Sequence, residues 1–210
     1  MMEQQVEKKL KTGTTTVGMI AKDTVILAAE RKATMGYLVA SAHAEKIHQV
    51  DDKMAMTIAG MVGDAQALIR YIKAELRLYK LQEERQISME SASTLIANIL
   101  YSRRFYPYYV QLIVGGYDTE PRLFSLSPDG SAMPEKFFST GSGSPVAFGV
   151  LENEFKEGME PEKAAALAVR AVRAATKRDI ASGGSGIDAV MLTSSGYRKL
   201  SDAQVEKMLA

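Results

Sequence analysis

The sequence contains no cysteine and only two histidines, His43 and His48, and these shortages remove most of the familiar catalytic systems. Without cysteine there is no disulfide, no thiol nucleophile and no cysteine-ligated metal. Because the chain also lacks an HExxH motif, a zinc site is not expected. A Ser-His-Asp triad would need His43 or His48, and an isolated histidine is far more often a surface or packing residue. We therefore expect neither a metal nor a cofactor.

Signals for nucleotides, nucleic acids and membranes are missing as well. The chain has no G-x-x-x-x-G-K-[ST] loop, no G-x-G-x-x-G fingerprint and no G-x-S-x-G elbow. Its 26 Lys and Arg balance 25 Asp and Glu to a net charge of +1, which gives no electrostatic reason to expect a nucleic acid or an anionic membrane. No apolar run approaches the ~20 residues of a membrane span. Residues Met1–Gly13 mix Glu with Lys and have no apolar core, so they do not form a secretory signal. The expected location is the cytoplasm.

The order of predicted elements favours one layered α+β domain. Strands are predicted at Thr15–Ala21, Thr24–Glu30, Met54–Gly60, Tyr109–Tyr117 and Arg122–Ser127, with a closing hairpin in "GIDAVMLTSSGYRKL". Helices are predicted from Val62 onward, after a cap at Ser88, at Pro145–Lys156 and at Pro161–Ile180. Strand groups separated by helix pairs are typical of packed sheets with helices on their faces, rather than of strictly alternating βαβ units.

With the usual nucleophiles missing, the run "KTGTTTVG" becomes the place to look. A threonine hydroxyl is a poor nucleophile unless a base takes its proton, and that base can be the residue's own α-amine. An α-amine has an ordinary pKa near ~8, which makes it a usable base at neutral pH, unlike lysine at ~10.4. The amine exists only if the chain starts at Thr14. A polar leader ending in Gly13 is what such a design needs, although three β-branched residues also suit a strand start.

Five segments together resemble the β subunits of the archaeal 20S proteasome, in matching order across nearly the whole chain. The segments are "GTTTVG", "TIAGMVGDAQ", "YVQLIVGGYD", "STGSGSP" and "KRDIASGG". The resemblance implies an N-terminal nucleophile hydrolase fold, which is a four-layer αββα sandwich of two antiparallel sheets flanked by helices. It also implies that residues 1–13 are a propeptide removed on maturation and that residues 14–210 form a single catalytic domain. One departure is "SGGSGID", which carries an extra small residue or two before the last strand.

The resemblance implies a set of catalytic positions. These are Thr14, Glu30, Lys46, Gly60, Ser142, Asp179 and Ser182. Thr14 is the expected nucleophile, freed by cleavage after Gly13. The ammonium of Lys46 is expected beside its hydroxyl, where a fixed cation stabilises an alkoxide and keeps the neighbouring amine neutral.

The remaining members of the set have supporting roles. Glu30 is expected to pair with Lys46, and Ser142, Asp179 and Ser182 to hold the region of the α-amine. The backbone N–H of Gly60 is expected to face the oxyanion, a contact whose loss costs about 10²–10³ in rate.

The resemblance also implies a pocket for the side chain before the scissile bond. Its expected residues are Ala33, Thr34, Ala44, Ile58, Gly60 and Val62. None of them carries a charge, so we expect cleavage after Leu, Tyr or Phe. His48 is close in sequence and is the one polar group expected to soften this preference.

The implied activity is that of a threonine endopeptidase acting on unfolded polypeptides. Its implied partners are α subunits and other β subunits in stacked heptameric rings, and an ATP-dependent unfoldase that acts through the α rings. Since the chain has no nucleotide motif, the ATP chemistry would belong to that partner. A non-catalytic structural subunit on the same fold is the main alternative, and Gly13, Thr14, Lys46 and Asp179 together favour the peptidase. A small-amide hydrolase is disfavoured by "GMVGDAQ".

Overall fold

The computed structural model describes residues 13–209, which form twelve strands and five helices. The strands are β1 (Thr16–Ala21), β2 (Thr24–Glu30), β3 (Ala33–Met35), β4 (Leu38–Ser41), β5 (Ile47–Asp51), β6 (Met54–Gly60), β7 (Val110–Tyr117), β8 (Pro121–Leu126), β9 (Ala132–Pro134), β10 (Phe137–Thr140), β11 (Ile187–Thr193) and β12 (Gly196–Lys199). The helices are α1 (Val62–Glu83), α2 (Met89–Ser102), α3 (Ser144–Glu154), α4 (Pro161–Thr176) and α5 (Asp202–Leu209). Of the predicted leader, only Gly13 lies within the described residues.

The strands form two five-stranded antiparallel sheets and one two-stranded ribbon. The first sheet has the order β10-β1-β2-β11-β12, the second has the order β5-β6-β7-β8-β9, and β3 pairs with β4. The sheets meet through an apolar layer that includes Val25 and Leu27 of β2 and Ile113 of β7. Strand β2 is buried along its whole length, as expected of a central strand covered on both faces.

Helices cover the outer face of each sheet. On the second sheet, Leu68, Ile72 and Leu76 of α1 recur at helical spacing and pack, together with α2, into one apolar cluster. On the first sheet, α3, α4 and α5 pack against β1, β2 and β11. The result is the four-layer αββα sandwich that the resemblance implied. Within residues 13–209, no helix is long and apolar enough to cross a lipid bilayer.

Strand register brings the functional loops to one end of the first sheet. Thr16 pairs with Ala29 on one side and with Thr140 on the other. Glu30 is therefore beside the start of β1, and the loop that follows Thr140 lies next to Thr14. Ile187 pairs with Glu30, so the segment before β11 closes over the same end.

Several element boundaries differ from the sequence expectations. The helix expected to reach Ile180 ends at Thr176, and Asp179 therefore lies in the loop that follows it. Short strands at the edges (β3, β4, β5, β9 and β10) were not predicted, because segments of three to five residues carry too little periodicity. The final helix α5, of eight residues, was not predicted either. The β3–β4 ribbon is also exposed although it is apolar, with Tyr37 98% accessible.

Candidate active site

Thr14 and Lys46 form the centre of a nearly closed polar site. The Nζ of Lys46 donates a hydrogen bond to the Oγ1 of Thr14 at 2.7 Å. Thr14 is 5% exposed and Lys46 is 7% exposed. Thr14 immediately precedes β1, while Lys46 immediately precedes β5 of the other sheet. Packing of the two sheets thus brings together residues that are 32 positions apart.

Glu30 connects three parts of the chain around this pair. One carboxylate oxygen, Oε1, accepts hydrogen bonds from the Nζ of Lys46 and from the backbone N–H of Thr15. The other oxygen, Oε2, accepts from the N–H of Lys32 at 2.7 Å and of Gly183 at 2.9 Å. Glu30 is fully buried, and these donors replace the water that its carboxylate loses.

The surroundings of Lys46 lower the pKa of its side chain. Burial lowers the pKa of its ammonium, while the charge of Glu30, the hydrogen bond to Glu30 and the charge of Asp179 act in the opposite direction. The charge of Lys32 adds to the lowering. A lysine in this position is better able than an exposed lysine to exchange a proton with the hydroxyl it contacts.

A second polar chain runs from Asp179 to the backbone of Thr14. The Oδ2 of Asp179 accepts hydrogen bonds from the hydroxyls of Ser142 and Ser182, each at 2.6 Å. Since Ser142 gives its single hydrogen to Asp179, its oxygen is free to accept the N–H of Thr14 at 3.2 Å. Ser182 likewise gives its single hydrogen to Asp179, so its oxygen accepts a hydrogen bond from the hydroxyl of Thr15 at 2.6 Å. Through Ser142 and Ser182, Asp179 therefore holds the backbone of Thr14 and the side chain of Thr15 in position.

Two glycines beside the site have no room for a side chain. A Cβ on Gly13 would lie 1.7 Å from the Cβ of Ala181 and 2.9 Å from the Oγ of Ser142. Gly60, at a φ of +140°, would bring a Cβ within 2.0 Å of the carbonyl oxygen of Tyr109. A side chain at either position therefore forces the surrounding atoms to shift, and at Gly60 the positive φ adds backbone strain.

A pocket of about 460 Å³ opens from Thr14 towards α1. Its walls include all the residues expected there, namely Ala33, Thr34, Ala44, Ile58, Gly60 and Val62. They also include polar residues that were not predicted to belong to it, namely Lys32, Ser41, Glu45 and Gln66, together with His48. His48 does line the pocket, but it is not alone among polar side chains in a position to modify the preference for the substrate residue.

The predicted catalytic residues converge in this structure. Thr14, Glu30, Lys46, Ser142, Asp179 and Ser182 form two linked hydrogen-bonded groups, and Gly60 lines the same pocket as Thr14. Sequence reasoning missed the N–H groups of Lys32 and Gly183. Every residue except proline has a backbone N–H, so the residue type does not show which of them donates to the site. Sequence reasoning also missed the hydroxyl of Thr15, for which the run of threonines offered only a β-propensity signal.

Comparison with known proteins shows which family the chain belongs to. The sequence model of a family described as proteasome subunit matches residues 10–191. The chain belongs to the proteasome subunit family. A proteasome subunit beta of Methanoregula boonei is 48% identical over 211 residues, which cover 100% of this chain and 98% of that protein. Those of Archaeoglobus fulgidus (48% identity, covering 98% of this chain and 97% of that protein) and Methanocorpusculum labreanum (50%, covering 96% and 95%) match similarly.

Membership of the proteasome family confirms the resemblance drawn from the five sequence segments. It identifies the chain as a proteasome β-type protease subunit that assembles with other proteasome subunits. The match extends over all of the second sheet and most of the first, and it includes every residue of the polar site, of which Gly183 is the last in the sequence.

Proposed function

We propose that this chain is a threonine-type endopeptidase of a 20S proteasome core, which matures by cutting its own Gly13–Thr14 bond. The observation that carries the proposal is the 2.7 Å contact between the Nζ of Lys46 and the Oγ1 of Thr14, at a threonine that directly follows glycine. Residues 1–13 would then be a propeptide, and residues 14–210 the mature catalytic domain.

Self-cleavage begins in the intact chain, where the nitrogen of Thr14 belongs to an amide and cannot act as a base. Lys46, whose pKa is lowered by burial, lies in position to take the hydroxyl proton. The Oγ1 of Thr14 attacks the carbonyl carbon of Gly13, the C–N bond breaks, and the nitrogen of Thr14 receives the proton. Water then hydrolyses the resulting ester, which frees the Thr14 hydroxyl and leaves Gly13 as a carboxylate.

Turnover of substrates uses the α-amine that maturation creates. The amine of Thr14 accepts the hydroxyl proton as Oγ1 attacks a peptide carbonyl, and passes it to the departing amine of the product. The acyl ester on Oγ1 is hydrolysed by water, with the amine again acting as base. Lys46 stabilises the developing alkoxide, and the N–H of Gly60 is assigned to the oxyanion of the tetrahedral intermediate.

Supporting residues keep these groups in place. Glu30 balances the charge of Lys46 through the contacts described above. Asp179, with Ser142 and Ser182, orients the nitrogen of Thr14, so that its lone pair faces the hydroxyl once the leader is gone. The pre-formed network supports this role, because polar groups that are already oriented need no reorganisation during the reaction.

The pocket supports unfolded polypeptides as substrates, cut after large apolar residues. Its apolar walls, including Ile58 at 5% exposure, gain free energy by covering such a side chain. We assign the chain to heptameric β rings stacked between α rings in the cytoplasm, with an ATP-dependent unfoldase that supplies substrate through the α rings. No metal, cofactor, nucleic acid or membrane is required for the chemistry above.

The intact mass of the purified particle tests this function. Wild-type protein is expected to have lost residues 1–13, and Thr14→Ala is expected to assemble, to keep the leader and to hydrolyse no peptide. Efficient removal of the leader by a particle built only from the Thr14→Ala subunit would contradict the intramolecular mechanism. A non-catalytic structural subunit, the alternative considered above, would keep its leader in the wild type as well.

A further inference from the structure

Three buried threonine hydroxyls form a cluster behind the active site. The Oγ1 of Thr16 lies 2.6 Å from the Oγ1 of Thr140 and 2.9 Å from the Oγ1 of Thr57. Thr16 and Thr57 are fully buried, and Thr140 is 3% exposed. Within residues 13–209, its three hydroxyls form no hydrogen bond with the residues that hold Lys46 or Asp179, and the mechanism above does not use it.

The cluster joins three strands from two different sheets. Thr16 is on β1 and Thr140 on β10 of the first sheet, whereas Thr57 is on β6 of the second. The bond between Thr16 and Thr57 thus crosses the sandwich, in a region where the other contacts between the sheets are mainly apolar. Apolar contacts are non-directional and allow small sliding movements, whereas a short hydrogen bond between hydroxyls fixes distance and direction.

Each threonine lies within three residues of a group that the reaction needs. Thr16 follows Thr14 by two positions, and Thr140 precedes Ser142 by two. Thr57 precedes Gly60 by three on a strand that ends at the pocket. The hydroxyl cluster is therefore the point at which the nucleophile, its backbone support and the proposed oxyanion donor are tied together.

We infer that Thr16, Thr57 and Thr140 are positioning residues for the peptidase, holding the two sheets in the offset at which Thr14 and Gly60 act on one carbonyl group. The inference rests on the proposed function. A displacement of about 1 Å in a catalytic group can cost 10²-fold in rate. A cluster that prevents sheet sliding therefore affects the chemical step more than substrate binding.

The test uses assembled, matured particles and replaces single hydroxyls by methyl groups of nearly the same shape. Thr16→Val and Thr57→Val are each expected to lower kcat about 10- to 100-fold, with KM within about twofold of wild type. Thr16→Ser and Thr57→Ser, which keep the hydroxyl, are expected to return kcat to within about threefold. The double Val variant is expected to be little worse than Thr16→Val alone, because Thr16→Val already removes the bond that Thr57→Val removes.

Thr24→Val is the matched control. Thr24, at the far end of β2, is 1% exposed, and among the described residues its hydroxyl forms a hydrogen bond only with the neighbouring Asp23, at 3.2 Å. The control loses a buried threonine hydroxyl from the same sheet, so its kcat is expected to stay within about twofold of wild type. Thermal midpoints and labelling of Thr14 by a peptide boronate are measured for every variant, so that the rate is expressed per reactive site.

Four outcomes would overturn the inference. Unchanged kcat in the Val variants would remove the positioning role, and equal losses in the Ser and Val variants would show that shape matters rather than the hydroxyl. A Thr24→Val variant that is as slow as the others would point to general stability. If Thr16→Val, Thr57→Val and Thr140→Val all fail to assemble while Thr24→Val assembles, the cluster serves folding instead. Failure of the proposed function is a separate result, namely activity that persists in Thr14→Ala.

Discussion

The ammonium of Lys46 contacts both the hydroxyl of Thr14 and the carboxylate of Glu30, and all three groups are nearly or fully buried. The lysine therefore lies between a potential nucleophile and a compensating charge. Whether Lys46 is protonated therefore determines the charge that faces both the hydroxyl of Thr14 and the carboxylate of Glu30. Loss of the lysine would leave Glu30 as a buried anion with one donor fewer.

Removal of the Lys46 amine is expected to abolish activity. Lys46→Ala should reduce peptide hydrolysis to near background, and leader removal should fail as well, since the same nitrogen serves both steps. Lys46→Arg should also fail, because a planar guanidinium does not fit the place of a compact ammonium between Thr14 and Glu30. The measurement is hydrolysis of a fluorogenic peptide, with the intact mass of each variant. Substantial activity in either variant would mean that Lys46 is not the cation of the site.

Gly13 is expected to be replaceable only at a cost to self-cleavage. In Gly13→Ala, the new Cβ would collide with the Cβ of Ala181 at 1.7 Å, so the scissile carbonyl must move away from Thr14. We expect cleavage of the leader to slow by about 10²-fold, as followed by mass spectrometry over time.

Ala181→Gly provides the matched test of this collision. Combined with Gly13→Ala it should recover part of the rate, although not all of it, because the Cα of Ala181 would still be 2.8 Å from the new Cβ. Equal cleavage rates in Gly13→Ala and wild type would show that the backbone relaxes around this contact. No recovery in the double variant would place the obstruction elsewhere, for example at Ser142.

Several parts of this site were predictable from sequence because they depend on residue type in a fixed local order. The resemblance to the family recognises such an order, and it placed Thr14, Lys46 and Asp179 in the site. The central strands β2 and β6 were predicted from their own apolar patterns, and their predicted bounds match the structure. The N–H donors to Glu30 were not predictable, since every residue carries one. The end of α4 at Thr176 was missed because no glycine or proline lies between Thr176 and Gly183 to mark it. The backbone of Asp179 still bonds to Ala175 at 2.8 Å before the chain turns away.

The pocket was predictable in its apolar residues but not in its polar ones. Ala33 and Ala44 flank an exposed ribbon, and the path of that ribbon decides which neighbours join the pocket wall. Glu45 adjoins Ala44 and Lys32 adjoins Ala33 in the chain, yet strand alternation alone does not show that their side chains border the same space. The pairing of β3 with β4 also shifts by a bulge between Ala33 and Thr34, which the sequence did not indicate.

Stability is expected to depend on pH through His48. Burial lowers the pKa of its imidazole below the ordinary 6.5, and the charge of Lys73 adds to this, while Glu45 partly opposes it. As the pH falls below 6.5, the unfolded chain therefore binds a proton before the folded chain does, and stability decreases until the folded pKa is passed. Above pH 6.5 both states are neutral and this contribution is fully present.

His48→Gln removes this titration and is the comparison to make. The difference in thermal midpoint between wild type and His48→Gln is expected to change between pH 7 and pH 5, with wild type losing more on acidification. The same pH dependence in the two proteins would show that His48 is already as accessible to protons as in the unfolded chain.

Substrate preference is the property on which the pocket walls make the sharpest prediction. Ile58, Ala65 and Ile69 provide a buried apolar surface, so a large apolar side chain gains about 1.5–3 kcal/mol on full burial. A charged side chain would lose its water there, and Lys46, the buried cation that lines the pocket, is already paired with Glu30. Cleavage is therefore expected to be faster after Leu, Tyr or Phe than after Arg or Glu.

Besides Lys46, two charged residues of the pocket wall, Lys32 and Glu45, refine this expectation. Glu45 is exposed and Lys32 is half-buried, so water screens Glu45 in particular, and its attraction for a substrate Arg is worth little. In a panel of fluorogenic peptides that differ only before the scissile bond, Glu45→Gln should lower any residual cleavage after Arg without changing cleavage after Leu. Faster turnover after Arg or Glu than after Leu or Tyr in the wild type would mean that another surface receives this side chain, even where Thr14 is the nucleophile.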